Sequence, residues 1–304
     1  MWYFPPFLLC TTSEEERILK TGTTMKLDPA NIQLRFVPLD HLLLHEEDDP
    51  YRTKRLILMF KHDGKLRNPP IVAEHEGRYI VMDGATRTTA FREMGYRDIL
   101  VQIVDYYGEA VQVGAWNHVL VGPSHNRLLA SLADVDGVTL QSVDAEAACR
   151  LLDSREIIAN VVMRNGQWFA VLCDGETQAD NNRRAELLCQ LVAEYRGTTE
   201  VHRTVAIDLP ALIDEYRDLT AVIVFPSFSP REITQIALAG TKLPMGITRH
   251  VVAGRALGMD VPLERLTDSQ SLEAKNAWLN DLILQRLKDN KVRLYQEPVF
   301  VFDE

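Results

Sequence analysis

The chain has 304 residues, 46% hydrophobic and 25% charged, a length and balance that can bury a sizeable core and belong to a globular rather than a disordered protein. With 33 basic and 43 acidic residues the net charge is −10, so the average surface repels nucleic acid and anionic membranes. No stretch approaches the roughly 20 apolar residues that a membrane helix requires.

Residues 1–30 read as an extension, docking Trp2, Tyr3, Phe4 and Phe7 on the main body or on the second subunit of a homodimer. Its apolar start lacks a basic leader and contains two prolines, so no signal peptide is expected. From Gln33 the pattern becomes compact: a strand over 34–37, then a helix opened by Asp49 with Pro50 at its first position, then the Pro69-Pro70 break. A hairpin follows, 71–73 and 79–82 across Glu76-Gly77. Next come a helix after Arg87, with Ala90, Phe91 and Met94 on one face before Gly95, and a strand over 99–106.

A second region begins near Gly122, with helices over 127–133 and 145–152. Its clearest hairpin joins 157–163 to 167–172 through Asn165-Gly166, a dipeptide favoured in type I′ turns. Residues 182–196 form an amphipathic helix with Leu187, Leu188, Leu191, Val192 and Tyr195 on one side. Ser229-Pro230-Arg231-Glu232 is a capping box that starts a helix stopping at Gly240, and Thr267-x-x-Gln270 is expected to cap the helix carrying Leu272, Trp278 and Leu279. Cys10, Cys149, Cys173 and Cys189 show no paired spacing and read as reduced thiols of a cytoplasmic protein. The fold class is α+β.

Three segments concentrate reactive groups. Val81-Met82-Asp83-Gly84-Ala85-Thr86-Arg87 joins an apolar strand to a helix. Gly84 permits close backbone approach, the first-turn N–H groups and the positive helix end would face an anion, and Arg87 adds a planar guanidinium. The same turn also fits an ordinary helix cap. His45-Glu46-Glu47-Asp48-Asp49 offers carboxylates for proton transfer or acts as a solvated acidic cap. Gly246-Ile247-Thr248-Arg249-His250 supplies a hydroxyl, a guanidinium and an imidazole, the donor set for a phosphate or carboxylate, or forms a loop before a strand. Trp116 and His118 line a pocket or are buried structural aromatics.

In this order these segments resemble the free L-serine kinases of the ParB/sulfiredoxin-like superfamily. The resemblance runs through Leu39-Asp40, His45-Glu46, Asn68-Pro69, Ile80 to Arg87, Ile103-Val104-Asp105-Tyr106 and Trp116. It resumes at Thr248-Arg249-His250-Val251 and Val261-Pro262-Leu263-Glu264-Arg265-Leu266. It implies a ParB/sulfiredoxin-like nucleotide-binding domain over 31–120, packed on a second α+β lobe over 121–304 that contributes to the substrate site. It implies that Glu46 acts on the serine hydroxyl, that Asp83 is essential for transfer and is a candidate Mg²⁺ ligand, and that Gly84, Ala85, Thr86 and Arg87 hold nucleotide phosphates. His45, Trp116, Thr248, Arg249 and His250 are then the candidate substrate-binding residues. ADP-dependent archaeal members carry Asp-Gly-His-His-Arg in the turn, where this chain has Ala85 and Thr86, and a lysine in place of Asn68. With the extension at each end this chain looks closer to the siderophore-locus type, which favours ATP, with ADP as the other donor to test. A ParB-like nucleotide- or DNA-binding regulator without kinase activity is the alternative, opposed by the acidic balance and by the lack of an evident helix-turn-helix. A sulfiredoxin-type reductase would need a cysteine in the phosphate turn, and this chain has none there.

Overall fold

The computed structural model describes residues 32–122 and 124–295; the expectations for the extension over 1–30 and for the tail beyond 295 lie outside the described residues. Strand β1 (Gln33–Pro38) buries Phe36 and Val37, and a single turn leads to β2 (Leu42–Leu44). Helix α1 (Pro50–Asp63) starts as the sequence predicts: the Asp49 carboxylate accepts the Tyr51 and Arg52 N–H groups, and Pro50, lacking an N–H, opens the helix. After β3 (Lys65–Leu66), strands β4 (Ile71–His75) and β5 (Arg78–Asp83) form the predicted hairpin. Glu76 and Gly77 both have positive φ, at 48° and 78°, as a type I′ turn requires. Helix α2 (Ala85–Glu93) begins two residues before Arg87, and β6 (Asp98–Val104) and β7 (Val111–Ala115) follow.

The chain continues through β8 (Asn117–Val121), α3 (His125–Ala133), β9 (Thr139–Val143), α4 (Ala145–Asp153), β10 (Ala159–Met163) and β11 (Trp168–Leu172). At Asn165-Gly166 only Gly166 is left-handed, with φ 86°, and its N–H donates to Met163 O while Met163 N–H donates to Gln167 O. The loop is therefore a three-residue connection with glycine in the bulge position, not the expected type I′ turn. Helices α5 (Gly175–Ala179) and α6 (Asn181–Ala193), strand β12 (Glu200–Thr204), α7 (Leu209–Glu215) and β13 (Leu219–Val224) lead to α8 (Pro230–Ala239). The Ser229/Glu232 capping box and the Gly240 stop of α8 are present as predicted. Then come β14 (Thr248–Val252), β15 (Val261–Pro262), α9 (Leu263–Thr267) and α10 (Leu272–Lys288). Thr267 ends α9, its hydroxyl turned back on Leu263 O and Glu264 O, and Ser271 caps α10 instead.

The chain separates into two compact units. One holds 32–44, Asp48–Gln112 and 250–295; the other holds His45–Glu47 and Val113–Arg249. A contiguous division at 120/121 does not follow these units. The reason lies in burial, because Met259, Val261, Leu266 and Leu279 share a core with Phe36, Phe60, Phe91 and Leu100. Asn276 of α10 fixes this arrangement by accepting the Phe36 N–H at 2.8 Å and donating to Phe36 O at 3.1 Å, which satisfies the outer edge of β1. The first unit carries the mixed five-stranded sheet β1-β6-β4-β5-β2 and the second the antiparallel six-stranded sheet β12-β8-β13-β10-β11-β9. Cys173 and Cys189 are free thiols, but Cys149 is disulfide-bonded, so the reading of four reduced thiols does not hold. Among the described residues no helix is long and apolar enough to cross a membrane.

Candidate functional site

The sequence-predicted residues fall into two groups, one in each unit. In the unit holding His45–Glu47, these three residues are stitched to Leu243: the His45 carbonyl accepts the Leu243 N–H at 2.7 Å, and Glu47 N–H donates to Leu243 O at 2.9 Å. That pairing turns the Glu46 side chain onto the loop before β14. Its Oε2 accepts the Gly246 N–H at 2.8 Å, and its Oε1 accepts the Thr248 N–H at 2.8 Å together with the Thr248 hydroxyl. Gly246 has φ +73°, a conformation strained for any side chain, and a Cβ there would also displace the Arg203 guanidinium, 1.7 Å away, so the turn that aims its N–H at Glu46 favours glycine.

Thr248 donates its one hydroxyl proton to Glu46, so its contact with His45 Nε2, at 2.9 Å, is one in which the imidazole donates. His45, only 4% exposed, thus holds the threonine that holds the glutamate. Arg249 lies over the Trp116 ring with its guanidinium carbon 5.3 Å from the centroid, and the Trp116 N–H donates to Ile247 O at 2.9 Å. A flat cation stacked this way keeps its edge donors for a planar anion.

His118 takes the structural reading. It is buried among the rings of Tyr195 and Phe225, with Nδ1 2.8 Å from the Tyr195 hydroxyl. Burial, reinforced by the charges of Arg203 and Arg196, pushes its pKa down to about 4, against a smaller opposing contribution from a hydrogen bond to the Gly246 backbone. A neutral imidazole therefore braces the glycine that faces Glu46. The rest of the acidic run divides: Glu47 pairs with Arg196 at 3.1 Å and Asp49 caps α1.

The other unit holds the Asp83 turn. A register shift in the β4–β5 pair sets Asp83 opposite Ile71 at the end of β5. Gly84 follows at φ +96°, packed so closely that a Cβ would lie 3.0 Å from Pro70 Cβ. Gly84 caps α2 without a side-chain hydrogen bond, so the first-turn N–H groups, from Ala85, Thr86 and Arg87, keep the anion-binding character expected of them. Arg87 is turned inward, donating to Asn68 O at 2.6 Å and to Asp83 Oδ2 at 3.0 Å, with its side chain 18% exposed. His250 also lies in this unit, its Nε2 2.8 Å from the Tyr106 hydroxyl. The Thr248-Arg249-His250 tripeptide is thus shared out: Thr248 meets Glu46, Arg249 lies on Trp116 and His250 meets Tyr106.

Sequence reasoning missed Arg255, whose guanidinium also contacts Asp83 Oδ2 and whose side chain is 44% exposed. Only its flanking glycine, Gly254, hinted at a shaped loop. Among the described residues no group of three or more His, Cys, Asp or Glu side chains could hold a metal ion. Mg²⁺ is commonly held by one or two carboxylates plus substrate phosphates, and with Oδ2 on two guanidinium groups, Oδ1 is the oxygen Asp83 could offer.

No family model matches the chain. The chain is 25% identical over 280 residues to the ATP-dependent L-serine kinase SbnI of Staphylococcus aureus, covering 89% of this chain and 97% of that one. The solved C-terminally truncated SbnI superposes with a TM-score of 0.67 at 22% identity, over 85% of this chain and 97% of that one. An archaeal ATP-dependent L-serine kinase, from Staphylothermus marinus, is 36% identical over 98 residues, 32% of this chain and 38% of that one. A free serine kinase solved in complex with AMP has a TM-score of 0.64 at 20% identity, covering 80% of this chain and 97% of that one. The chain is thus similar in sequence to an ATP-dependent L-serine kinase along most of its length, and it shares the α+β fold of the solved free serine kinases.

Proposed function

We propose that this protein transfers the γ-phosphoryl group of ATP to the hydroxyl of free L-serine, giving O-phospho-L-serine and ADP. The observation that carries the reading is the similarity to an ATP-dependent L-serine kinase across nearly that enzyme's whole length. Glu46 is the general base. A carboxylate held by two backbone N–H groups and a hydroxyl has a fixed direction, and it can take the serine proton as the oxygen attacks phosphorus. Thr248 and His45 position it. Arg249, held flat on Trp116, would take the carboxylate of the amino acid, with His250 as the remaining substrate contact.

Asp83 and the turn over Gly84, Ala85, Thr86 and Arg87 serve the nucleotide. Backbone N–H groups at the start of α2 offset charge spreading over the phosphoryl oxygens, and Arg87 keeps the turn closed by tying Asp83 to the Asn68 carbonyl. Asp83 would be the residue that holds Mg²⁺, a group that when bound would supply positive charge at the phosphates. The acceptor and donor are tested together by ³¹P NMR of the protein with Mg²⁺ and L-serine, with ATP or ADP in parallel samples. A serine-dependent phosphomonoester resonance with ATP is the expected result; ATP binding without that signal would overturn the reading.

A further inference from the structure

Two guanidinium groups meet Asp83 Oδ2, and they are built for different purposes. Arg87 has its other nitrogen on the carbonyls of Asn68 and Pro69, at 2.6 and 3.4 Å, and is largely covered. Arg255 has Asp83 as its acceptor and remains 44% exposed. Its loop, however, is held from both sides. Gln102, 4% exposed on β6, donates from Nε2 to Gly254 O at 2.9 Å and accepts the Ala256 N–H on Oε1 at 2.8 Å, so one buried amide grips the residues before and after Arg255. The backbone N–H of the same glutamine donates to Pro70 O at 2.8 Å, and Pro70 is the residue packed against Gly84. Farther along, Gly258 N–H donates to Asn68 Oδ1 at 3.0 Å and Met259 N–H to Arg67 O at 2.7 Å.

An exposed arginine on a loop ordinarily loses much of its binding value to the entropy of ordering it. Here the backbone on each side of Arg255 is fixed to the same framework that fixes the phosphate turn, and the long side chain is left its donors. Resting on the kinase reading, in which Asp83 acts at the transferring group, we propose that Arg255 binds the nucleotide phosphates beyond the α-phosphate and that Gln102 is its positioning residue. When nucleotide is absent, Asp83 offsets the arginine charge; when it is present, the guanidinium exchanges part of that contact for phosphate oxygens.

The test compares affinities for ATP and AMP by calorimetry in wild type, Arg255→Ala, Arg255→Lys, Gln102→Ala and the Arg255→Ala/Gln102→Ala double variant. Loss of a charge-assisted contact to phosphate predicts about 10- to 100-fold weaker ATP binding in Arg255→Ala with AMP affinity kept within about twofold, and partial recovery in Arg255→Lys. Gln102→Ala should weaken ATP binding selectively as well, and the double variant should be no worse than Arg255→Ala alone, since the glutamine acts through the arginine. Equal changes for ATP and AMP, or none for either, would overturn the assignment of Arg255. Additive losses in the double variant would overturn the positioning role. Should Gln102→Ala melt early, the ATP-to-AMP ratio of the exposed-site variants Arg255→Ala and Arg255→Lys still decides the assignment. A wild type that binds ATP but makes no phosphoserine would overturn the kinase reading alone; a wild type that binds neither nucleotide would overturn both.

Discussion

Glu46 takes two backbone N–H groups and a threonine hydroxyl, whereas Asp83 takes two guanidinium groups at the ends of long side chains. Backbone donors cannot swing away, so the first carboxylate has a set orientation. Arg87 is pinned to the Asn68 carbonyl, but the exposed Arg255 can move and exchange partners, so the second has a set charge environment and an adjustable geometry. The first arrangement suits proton transfer, which depends on direction and distance. The second suits a phosphate chain that arrives with its own charge and leaves with less of it.

Exchanging one oxygen for nitrogen should break the two regions differently. Glu46→Gln is expected to lower kcat by about 10²- to 10⁴-fold, the range of a lost general base, with ATP affinity within several-fold of wild type. An unchanged kcat would remove Glu46 from the chemistry. Asp83→Asn leaves Arg87 and Arg255 facing each other without the charge between them, and a loss of about 10²-fold in kcat/KM with an altered Mg²⁺ dependence is expected in steady-state assays. A Mg²⁺ titration superimposable on that of wild type would sink the metal assignment.

The brace behind Glu46 can be read through pH. His118 has a folded pKa of about 4 against an ordinary value of 6.5, so between these values the unfolded chain binds the proton and the folded one does not. Its contribution is complete above pH 6.5 and is lost as pH falls towards 4, amounting to roughly 3 kcal/mol across that window. Urea unfolding of wild type and His118→Gln should therefore show a stability gap that narrows from pH 7 to pH 4.5; a constant gap would contradict the buried neutral state. The smallest effect belongs to the turn at Gly84. Gly84→Ala meets both positive φ and Pro70 and should cost about 1–3 kcal/mol in thermal unfolding while weakening nucleotide binding.

What the sequence made legible was local. Asp49-Pro50, the Ser229/Glu232 box and the Glu76-Gly77 turn each consist of contacts within a few residues, and each forms where the residue types require it. Thr267-x-x-Gln270 misled because Ser271 lies one residue beyond that window and is an equally good cap. Strands such as Asn117–Val121 and Leu219–Val224 were not anticipated; they are buried on both faces along nearly all their length and so lack the alternation that marks a half-exposed strand. The partners of the site residues were beyond reach for another reason. Glu46 meets Thr248 across 202 residues and Gln102 meets Gly254 across 152, separations at which no spacing rule operates, although the resemblance had singled out both Glu46 and Thr248.

A single-turnover experiment tests the central claim most directly. Excess protein is mixed with γ-labelled ATP, Mg²⁺ and saturating L-serine, and labelled phosphoserine is followed in wild type and in Glu46→Gln alongside the ATP dissociation constant of each. The account predicts phosphoserine from wild type and almost none from a variant that still binds ATP; phosphoserine formed at the same rate by both, or by neither, would contradict it.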